Sequence, residues 1–575
     1  MSTIDFSGLE IFKNALEAIT DEAALTIVRT ARSLTTKESM DFSTALFNVK
    51  GEQVAQGLCL PFQVGALPEF MPTVLREFSG SLEPGDIIAS NDPYLGGTHL
   101  PDLLLFKPIF ISGELLGFAA VLAHLTDIGG RVPGGNAVDS TEIYQEGLRL
   151  PPVKLYRSGQ PNEWVFRLIA SNVRVSHHIL GDIEALVSAL NRAEQAFQQL
   201  CKQYTNNDIN RLFVSLLDYS EKLTRIEIDQ MPNGNYEFED FIDTDASSSE
   251  SIRICCRLSI KDDDVNVDFT GTSSQVPSAL NMLPSTGKAA VCCALRCVFM
   301  QDIPNNAGTV RPIRIIFPEG SILNPLEPAA CAARGVVAYR VFDAVMGCLA
   351  QALPDRVPAA GEGGVAFLTL GGKAPDETPF VFVDVLSAGW GGRPSLDGID
   401  GTSHLGANIR LTSVEVIESQ FPVRVERREF ISDSGGPGRY RGGLGYRYDL
   451  RLLAPVAAFT VRADRARFRP WGLAGGTAGA PAACVVDPDS DQPHSVPLLH
   501  TGTLHRGQIV RLELAGSGGF GPAFERDPED VLRDVLTEKV SLRSAKEDYG
   551  VVLIGSPLRI DHDATREFRV RAGAV

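Results

Sequence analysis

Two long apolar runs, LLLFKPIFI (103–111) and LLGFAAVLA (115–123), constrain this chain more than any other feature. Only Ser112, Gly113 and Glu114 stand between them. Turn residues between two strand-forming runs specify a β-hairpin. The open end of this hairpin carries two matching motifs. His99 lies in HLPD and His124 in HLTD, so each histidine is followed three residues later by a carboxylate, Asp102 and Asp127. Imidazole plus carboxylate is the ligand mixture of zinc, manganese and iron(II). With a three-residue loop, Ile111 faces Leu115, and counting outward sets Asp102 opposite His124. Facing residues share a side of the sheet, with Cβ atoms about 4.5–5.5 Å apart. Asp102 and His124 then reach one ion, and His99 joins from the preceding loop. A two-residue loop places them on opposite faces, so the expectation depends on one residue of register. A second reading stays open, in which each Asp or His caps a turn at a strand end.

Around the hairpin the periodicity alternates between helix and strand. Residues 7–35 read as an amphipathic helix, with Leu9, Phe12, Leu16 and Ile19 at helical spacing. From Asp41 the period changes, and DFSTALFNVKGEQVAQ reads as two short strands about a turn at Gly51. Asp41 itself is, by residue type, an ordinary helix-to-strand turn residue. GDIIAS (85–90) is another strand, and residues 161–230 are helical in pattern. Short strands return over about 236–275, a buried helix follows near 285–300, and a mixed region extends to about 370. Gly-rich turns separate strands over 378–465, and Asp527 can cap a helix that Pro528 opens.

A chain of 575 residues is too long for one simple core. The expected fold is α+β and multi-domain, with several mostly antiparallel sheets and long helices. The expected divisions are an N-terminal region with the hairpin (1–160), a helical region (161–235), a mixed region (236–375), a β-rich region with Gly turns (376–504) and a C-terminal region (505–575).

The balance of 53 Lys+Arg against 71 Asp+Glu gives a net charge of −18. An acidic surface of that size repels phosphate backbones and anionic lipid, so neither nucleic acid nor a membrane is an expected partner. No apolar run approaches the length of about 18 residues that a bilayer span needs. The start, MSTIDFSGLEIFKNALEAIT, has no basic flank, long apolar core or cleavage site. Ten cysteines are sparse, and the adjacent pairs Cys255-Cys256 and Cys292-Cys293 suit neither a mutual bridge nor a zinc knuckle. They read as reduced, buried small hydrophobes, which places the chain in the cytoplasm. PSTGKAA (284–290) lacks the first Gly and the final Ser/Thr of a phosphate-binding loop. GSGGFG (516–521) reads as a flexible turn, with presentation of backbone N–H groups to an anion as the alternative. His177 and His178 open the strongest helix and are expected at the surface.

NDPYLGGTHLPDLLLFKPIF, AHLTDIGGRVPGG and EIYQEGLRLPPVKLYRSG together resemble the hydantoinase B/oxoprolinase family. The resemblance continues through VDFTGTSSQVPSALN, GWGGRPSLDGIDGTSHLGANIR, DSGGPGRYRGGLGYRYDLR and GFGPAFERDPEDVLRDVL, from about residue 7 to 555 and in order. It implies a B-type subunit of a two-part, ATP-dependent enzyme. The family includes hydantoinases, 5-oxoprolinases, caprolactamase, and the acetone and acetophenone carboxylases. The resemblance places the ATP site on an A-type partner, consistent with the missing phosphate loop here, and one divalent metal on the B-type chain. Two A-type and two B-type chains form the expected heterotetramer. Carried over residue by residue, the ligand positions fall on Asp41 in MDFSTALF, His99 and Asp102 in THLPD, and His124 in AHLTD. Two positions depart from the family pattern. Leu125 and Thr126 stand where many members have His and Ala, and Gln63 stands where many have His. These departures bear on substrate choice and leave the four ligand positions intact.

The expected activity is therefore ATP-dependent opening of a cyclic amide: a lactam, a hydantoin or 5-oxoproline. An unstrained amide is a poor electrophile, and phosphorylation of its oxygen, by family analogy on the partner, supplies activation. The ion supplies Lewis acidity to water, with zinc favoured over manganese on a donor set that separates them poorly. Asp127 is the expected orienting partner or general base, acting with His124. The alternative is a carboxylase subunit in which an enol phosphate captures CO2. A third reading is a scaffold half with a vestigial site.

Overall fold

The computed structural model describes residues 6–57 and 60–571, and its architecture is α+β with several sheets. Helix α1 (Phe6–Thr30) buries Phe12, Leu16 and Ile27 on one face and packs along α2 (Ser176–Cys201). These helices cover one face of an antiparallel seven-stranded sheet. Its strands are β1 (Phe42–Asn48), β2 (Gln53–Gln56), β3 (Ile87–Ser90), β4 (Asp102–Ile111), β5 (Glu114–His124), β6 (Val153–Arg157) and β7 (Gln160–Pro161), in the order β2-β1-β5-β4-β3-β6-β7.

The central strands β4 and β5 are buried on both faces, which is why they read as unbroken apolar runs. Successive side chains alternate. Leu103, Leu105, Val121 and Ala123 join the core under α1 and α2, whereas Leu104, Phe106, Ala120 and Leu122 join the core under the helix Ala66–Phe78.

The turn between β4 and β5 differs from the expected three-residue loop. Ile111 pairs with Glu114, leaving a two-residue turn of Ser112 (φ 52°) and Gly113 (φ 84°). Both residues are left-handed, the signature of the turn whose twist matches a hairpin. The expected register nonetheless appears at the far end. Phe110 pairs with Leu115 but Ile109 pairs with Gly117, so Leu116 is an extra residue, a β-bulge. The bulge adds back the residue that the short turn removed, and Asp102 pairs with His124.

The second core is built on helix α3 (Arg334–Ala352), which lies across the strands Gly234–Ile242 and Ile252–Lys261. Sequence pattern assigns this stretch only to a mixed region. Every residue from Val336 to Leu349 is buried, so the helix has no polar face and shows no 3.6-residue period. Gly347 permits the close approach, since a Cβ there would come within 2.3 Å of the Phe238 ring. A buried ion network fixes the helix: Arg465 binds Asp240 at 2.8 and 2.9 Å and Asp343 at 2.7 Å, and Arg340 binds Asp343 at 2.8 Å.

Toward the C-terminus, a four-stranded and a five-stranded antiparallel sheet share one core. The strand Ile509–Glu513, which sequence reading placed in the region from 505, completes the five-stranded sheet. GSGGFG is neither a flexible turn nor an anion nest. All six N–H groups from Gly516 to Gly521 donate to backbone carbonyls of other segments, at 2.8–3.1 Å. Glycine is required for that proximity, because a Cβ on Gly516 would meet the Ser434 carbonyl at 1.8 Å. Asp527 caps the helix Pro528–Leu536, accepting from Glu529 N–H at 2.9 Å. Among the described residues no helix is long and apolar enough to cross a membrane.

Candidate metal centre

β4 begins at Asp102 and β5 ends at His124, so one hairpin end delivers both side chains to the same face. A turn closed by Asp102 N–H donating to the His99 carbonyl at 3.0 Å brings in the third. Ligand atoms of His99, Asp102 and His124 all lie within 4.8 Å of one another, and all three residues are at most 2% exposed. His124 Nδ1 is 3.2 Å from Asp102 Oδ1, and His99 Nδ1 is 3.1 Å from Asp102 Oδ2. Ligands held about 2.0–2.2 Å from a shared ion stand roughly 3.0–3.5 Å apart, so these spacings suit a first-row divalent metal. Two further features fit. His124 Nε2 is buried with no hydrogen-bond partner, and His99 Nδ1 approaches Asp102 without hydrogen-bond geometry. Buried imidazole nitrogens left this way call for an ion or a proton partner.

The electrostatics keep the donors in binding form. Burial alone would raise the Asp102 pKa, but His99, Arg334 and His124 together hold it well below the usual carboxylate range. Arg334 donates to Asp102 Oδ2 at 2.7 Å, and the Thr98 hydroxyl donates to the same oxygen. Burial, then the neighbouring Arg334 charge, pushes His99 well below the ordinary imidazole value.

Asp41, the fourth residue expected at the metal, is 2% exposed and lies beside the group without belonging to it. Its carbonyl accepts from His124 N–H at 3.0 Å, and its carboxylate accepts from the Gln63 amide. Burial raises its pKa against the attraction of His124. Gln63, one of the two departures from the family pattern, is therefore the residue that orients Asp41. The other places Leu125 in the core and joins the Thr126 hydroxyl to that of Thr35 at 2.8 Å.

Asp127, expected as base or orienting partner, has its carboxylate engaged elsewhere. Oδ1 accepts from Gly134 N–H at 2.9 Å and from Arg174 Nη1 at 3.0 Å, and Oδ2 accepts from Arg174 N–H at 2.6 Å. Among the described residues no hydrogen bond joins it to His124. These bonds tie its carboxylate to the loop after β5 and to Arg174. His177 and His178 are exposed at the start of α2, as expected.

Sequence reasoning missed four residues around the centre. Arg334 opens α3 and reaches Asp102 across 232 positions of chain. Arg462 ends the strand Val456–Arg462 with its guanidinium carbon 3.7 Å from the centre of the Phe367 ring, itself 6.1 Å from the His124 ring. Glu146 accepts from Cys331 N–H at 2.9 Å and Ala332 N–H at 2.8 Å, and burial lifts its pKa to about 8 despite those bonds. Tyr339 lies fully within the core, where burial raises its pKa. The available signal was charge within apolar runs, at Arg334 before VVAY and Arg462 after AAFTV.

Comparison with known proteins gives a consistent picture. A family model described as hydantoinase B/oxoprolinase matches residues 5–523. A Pseudomonas protein assigned as the candidate B-type component of a D-/L-hydantoinase is 32% identical over 590 residues, covering 99% of this chain and 98% of its own. The beta chain of Pseudomonas jessenii caprolactamase is 31% identical over 593 residues, covering 99% of this chain and 100% of its own. The crystal structure of ATP-dependent caprolactamase from that organism superposes with a TM-score of 0.92 at 29% identity, over 99% of this chain and 100% of that one. A nucleotide-free acetone carboxylase structure also superposes at 0.92, over 98% of this chain and 82% of that one, and at 18% identity it bears on the fold alone.

Proposed function

The chain belongs to the hydantoinase B/oxoprolinase family, and from that membership we propose that it is the metal-bearing subunit of an ATP-dependent cyclic amide hydrolase. The observation that carries this reading is end-to-end similarity to a caprolactamase subunit in a chain with a buried His99–Asp102–His124 group. The substrate class is a lactam, a hydantoin or 5-oxoproline. An A-type partner binds ATP and activates the amide, in an assembly of two A-type and two B-type chains in the cytoplasm.

His99, Asp102 and His124 would hold one divalent ion, zinc ahead of manganese, with Asp41 as the fourth ligand that the family resemblance implies. Bound there, the ion supplies the Lewis acidity that makes water a nucleophile near neutral pH. The protein's own residues do the rest. Arg334 and Thr98 hold Asp102 ionised and oriented. Gln63 donates to the Asp41 carboxylate and so fixes its direction. Burial of the whole group excludes bulk water, which strengthens each electrostatic contact. Asp127 is a positioning residue that acts through Arg174 and the 127–134 loop.

The test is turnover of the chain with its A-type partner, ATP and each ring class, in the presence of carbon-labelled bicarbonate. Ring opening coupled to ATP use, with no label in the product and loss of turnover in His99→Ala, is the expected result. Label in the product would move the assignment to a ketone carboxylase. Unchanged turnover in His99→Ala would return the chain to a scaffold role.

A further inference from the structure

Arg462 is a buried cation with no direct ion pair among the described residues, although the more distant charges of Asp41 and Asp102 act on it. It is 3% exposed, its Nη1 donates to the Ala332 carbonyl at 2.9 Å, and its Nε has no partner. Among the described residues no carboxylate pairs with it; the Phe367 ring face gives it partial compensation. A second cation, Arg334, stands close by. One of its amino groups binds Asp102 and its Nε is likewise buried and unpartnered. Burial, then the charge of Arg334, lowers the Arg462 pKa to about 9, so the two guanidiniums are close enough to repel.

The third component is the first turn of α3. The N–H groups of Arg334 and Val336 donate to the carbonyls of Cys331 and Ala333, whereas among the described residues that of Gly335 meets no backbone acceptor. Gly335 also lacks a side chain where one would face Arg462. A Cβ there would have only Arg462 Nη2 at 3.7 Å and Cζ at 3.9 Å as neighbours within 4 Å. Bare backbone at the positive end of a 19-residue helix therefore opens onto a guanidinium fork.

We propose that Arg462, Arg334 and the first turn of α3 form an oxyanion subsite beside the metal-ligand group, shaped for the phosphoryl group of an activated substrate. A buried cation without a partner is strongly unfavourable, and removal of that penalty by an arriving anion is a source of affinity. Guanidinium forks and helix N-termini are the two structural elements that bind phosphoryl oxygens best. Any cation held by His99, Asp102 and His124 adds to the positive field, which favours a dianion over a carboxylate. The identity of the physiological ligand rests on the function proposed above; the affinity for phosphate does not.

The test is calorimetric titration of the purified full chain with inorganic phosphate, with acetate and bicarbonate as separate arms. Metal content is measured on every sample. Wild type is expected to bind phosphate saturably and more tightly than either monoanion. Arg462→Gln is expected to weaken binding by about tenfold or more at unchanged metal content. Because Arg462→Gln disturbs a buried site, Gly335→Ala is the second variant. It adds one methyl beside Arg462 within a helix that tolerates alanine, and should keep the thermal midpoint while weakening phosphate. No saturable phosphate binding by wild type, or wild-type affinity in both variants, overturns the subsite. Tighter binding of acetate or bicarbonate overturns its phosphoryl assignment. Phosphate binding without turnover of any cyclic amide leaves the subsite standing and removes the proposed function, and turnover without phosphate binding does the reverse.

Discussion

Asp102 and His124 stand directly opposite each other, with Oδ1 and Nδ1 3.2 Å apart, at the end of a hairpin whose two-residue turn by itself would separate them onto opposite faces. Leu116 is the reason. One extra residue on β5 restores the two-residue side-chain period between the turn and the site. The register that pairs Asp102 with His124 is thus set by a bulge close to the turn.

Deletion of Leu116 should turn His124 away from Asp102, and the folded fraction should carry almost no metal by elemental analysis. Gly113→Ala strains only the turn, where φ is 84° and nothing lies within 4 Å. It should cost roughly 1 kcal/mol of stability and keep its metal. Full metal content in the deletion variant would show that the register is set elsewhere.

His99→Ala, Asp102→Asn and His124→Ala should each remove a donor from the buried group. Wild type is expected to carry about one equivalent of a divalent ion and each variant well below half of that. Asp102→Asn should also be the least stable, because it leaves the Arg334 charge without its carboxylate. Breaking a buried pair in this way costs about 3–5 kcal/mol. Equal metal in wild type and all three variants would count against the site.

Asp127→Asn separates a structural carboxylate from a general base. Loss of a base lowers kcat by about 10²–10⁴ at unchanged stability. The bonds from Arg174 and Gly134 point to the opposite pattern: a stability loss of roughly 1–3 kcal/mol and near-normal kcat per folded molecule. Denaturant midpoints and turnover measured on the same preparation distinguish the two.

Glu362 should make stability fall with rising pH. Burial lifts its pKa from 4.5 to about 7, against the opposing attraction of His404. A carboxyl with a raised folded pKa contributes its stability below the unfolded value and loses it as pH rises through the folded value. Between about pH 4.5 and 7 the wild type should lose roughly 3 kcal/mol from this group. Ala388 N–H donates to Glu362 Oε1 and Gly389 N–H to Oε2, each at 3.3 Å; Glu362→Gln keeps one of these two acceptors, removes the titration and should flatten that slope. An equally steep profile in the variant would remove Glu362 as its source.

Local pattern made much of the scaffold legible. Alternating faces, apolar runs and Gly or Ser turns are properties of neighbouring residues, so the hairpin, α1, α2 and the cap at Asp527 could be read directly. The pairing of Asp102 with His124 was also legible, although its route was not, because turn length and bulge shift the register by equal and opposite amounts. Helix α3 escaped because burial on every side erases the amphipathic period that marks a helix.

By itself the sequence determined which side chains carry metal-ligating chemistry, and that Asp102 and His124 meet at one end of one hairpin with His99 close by. Only the tertiary structure decided what surrounds them. Arg334 and Arg462 come from elements more than 200 positions away, brought in by the packing of α3 and the strand Val456–Arg462. Asp127, adjacent in sequence, is taken by Arg174 instead. Contacts along a strand follow from a fixed repeat of two, whereas contacts between cores depend on how whole surfaces pack, and no local spacing encodes that.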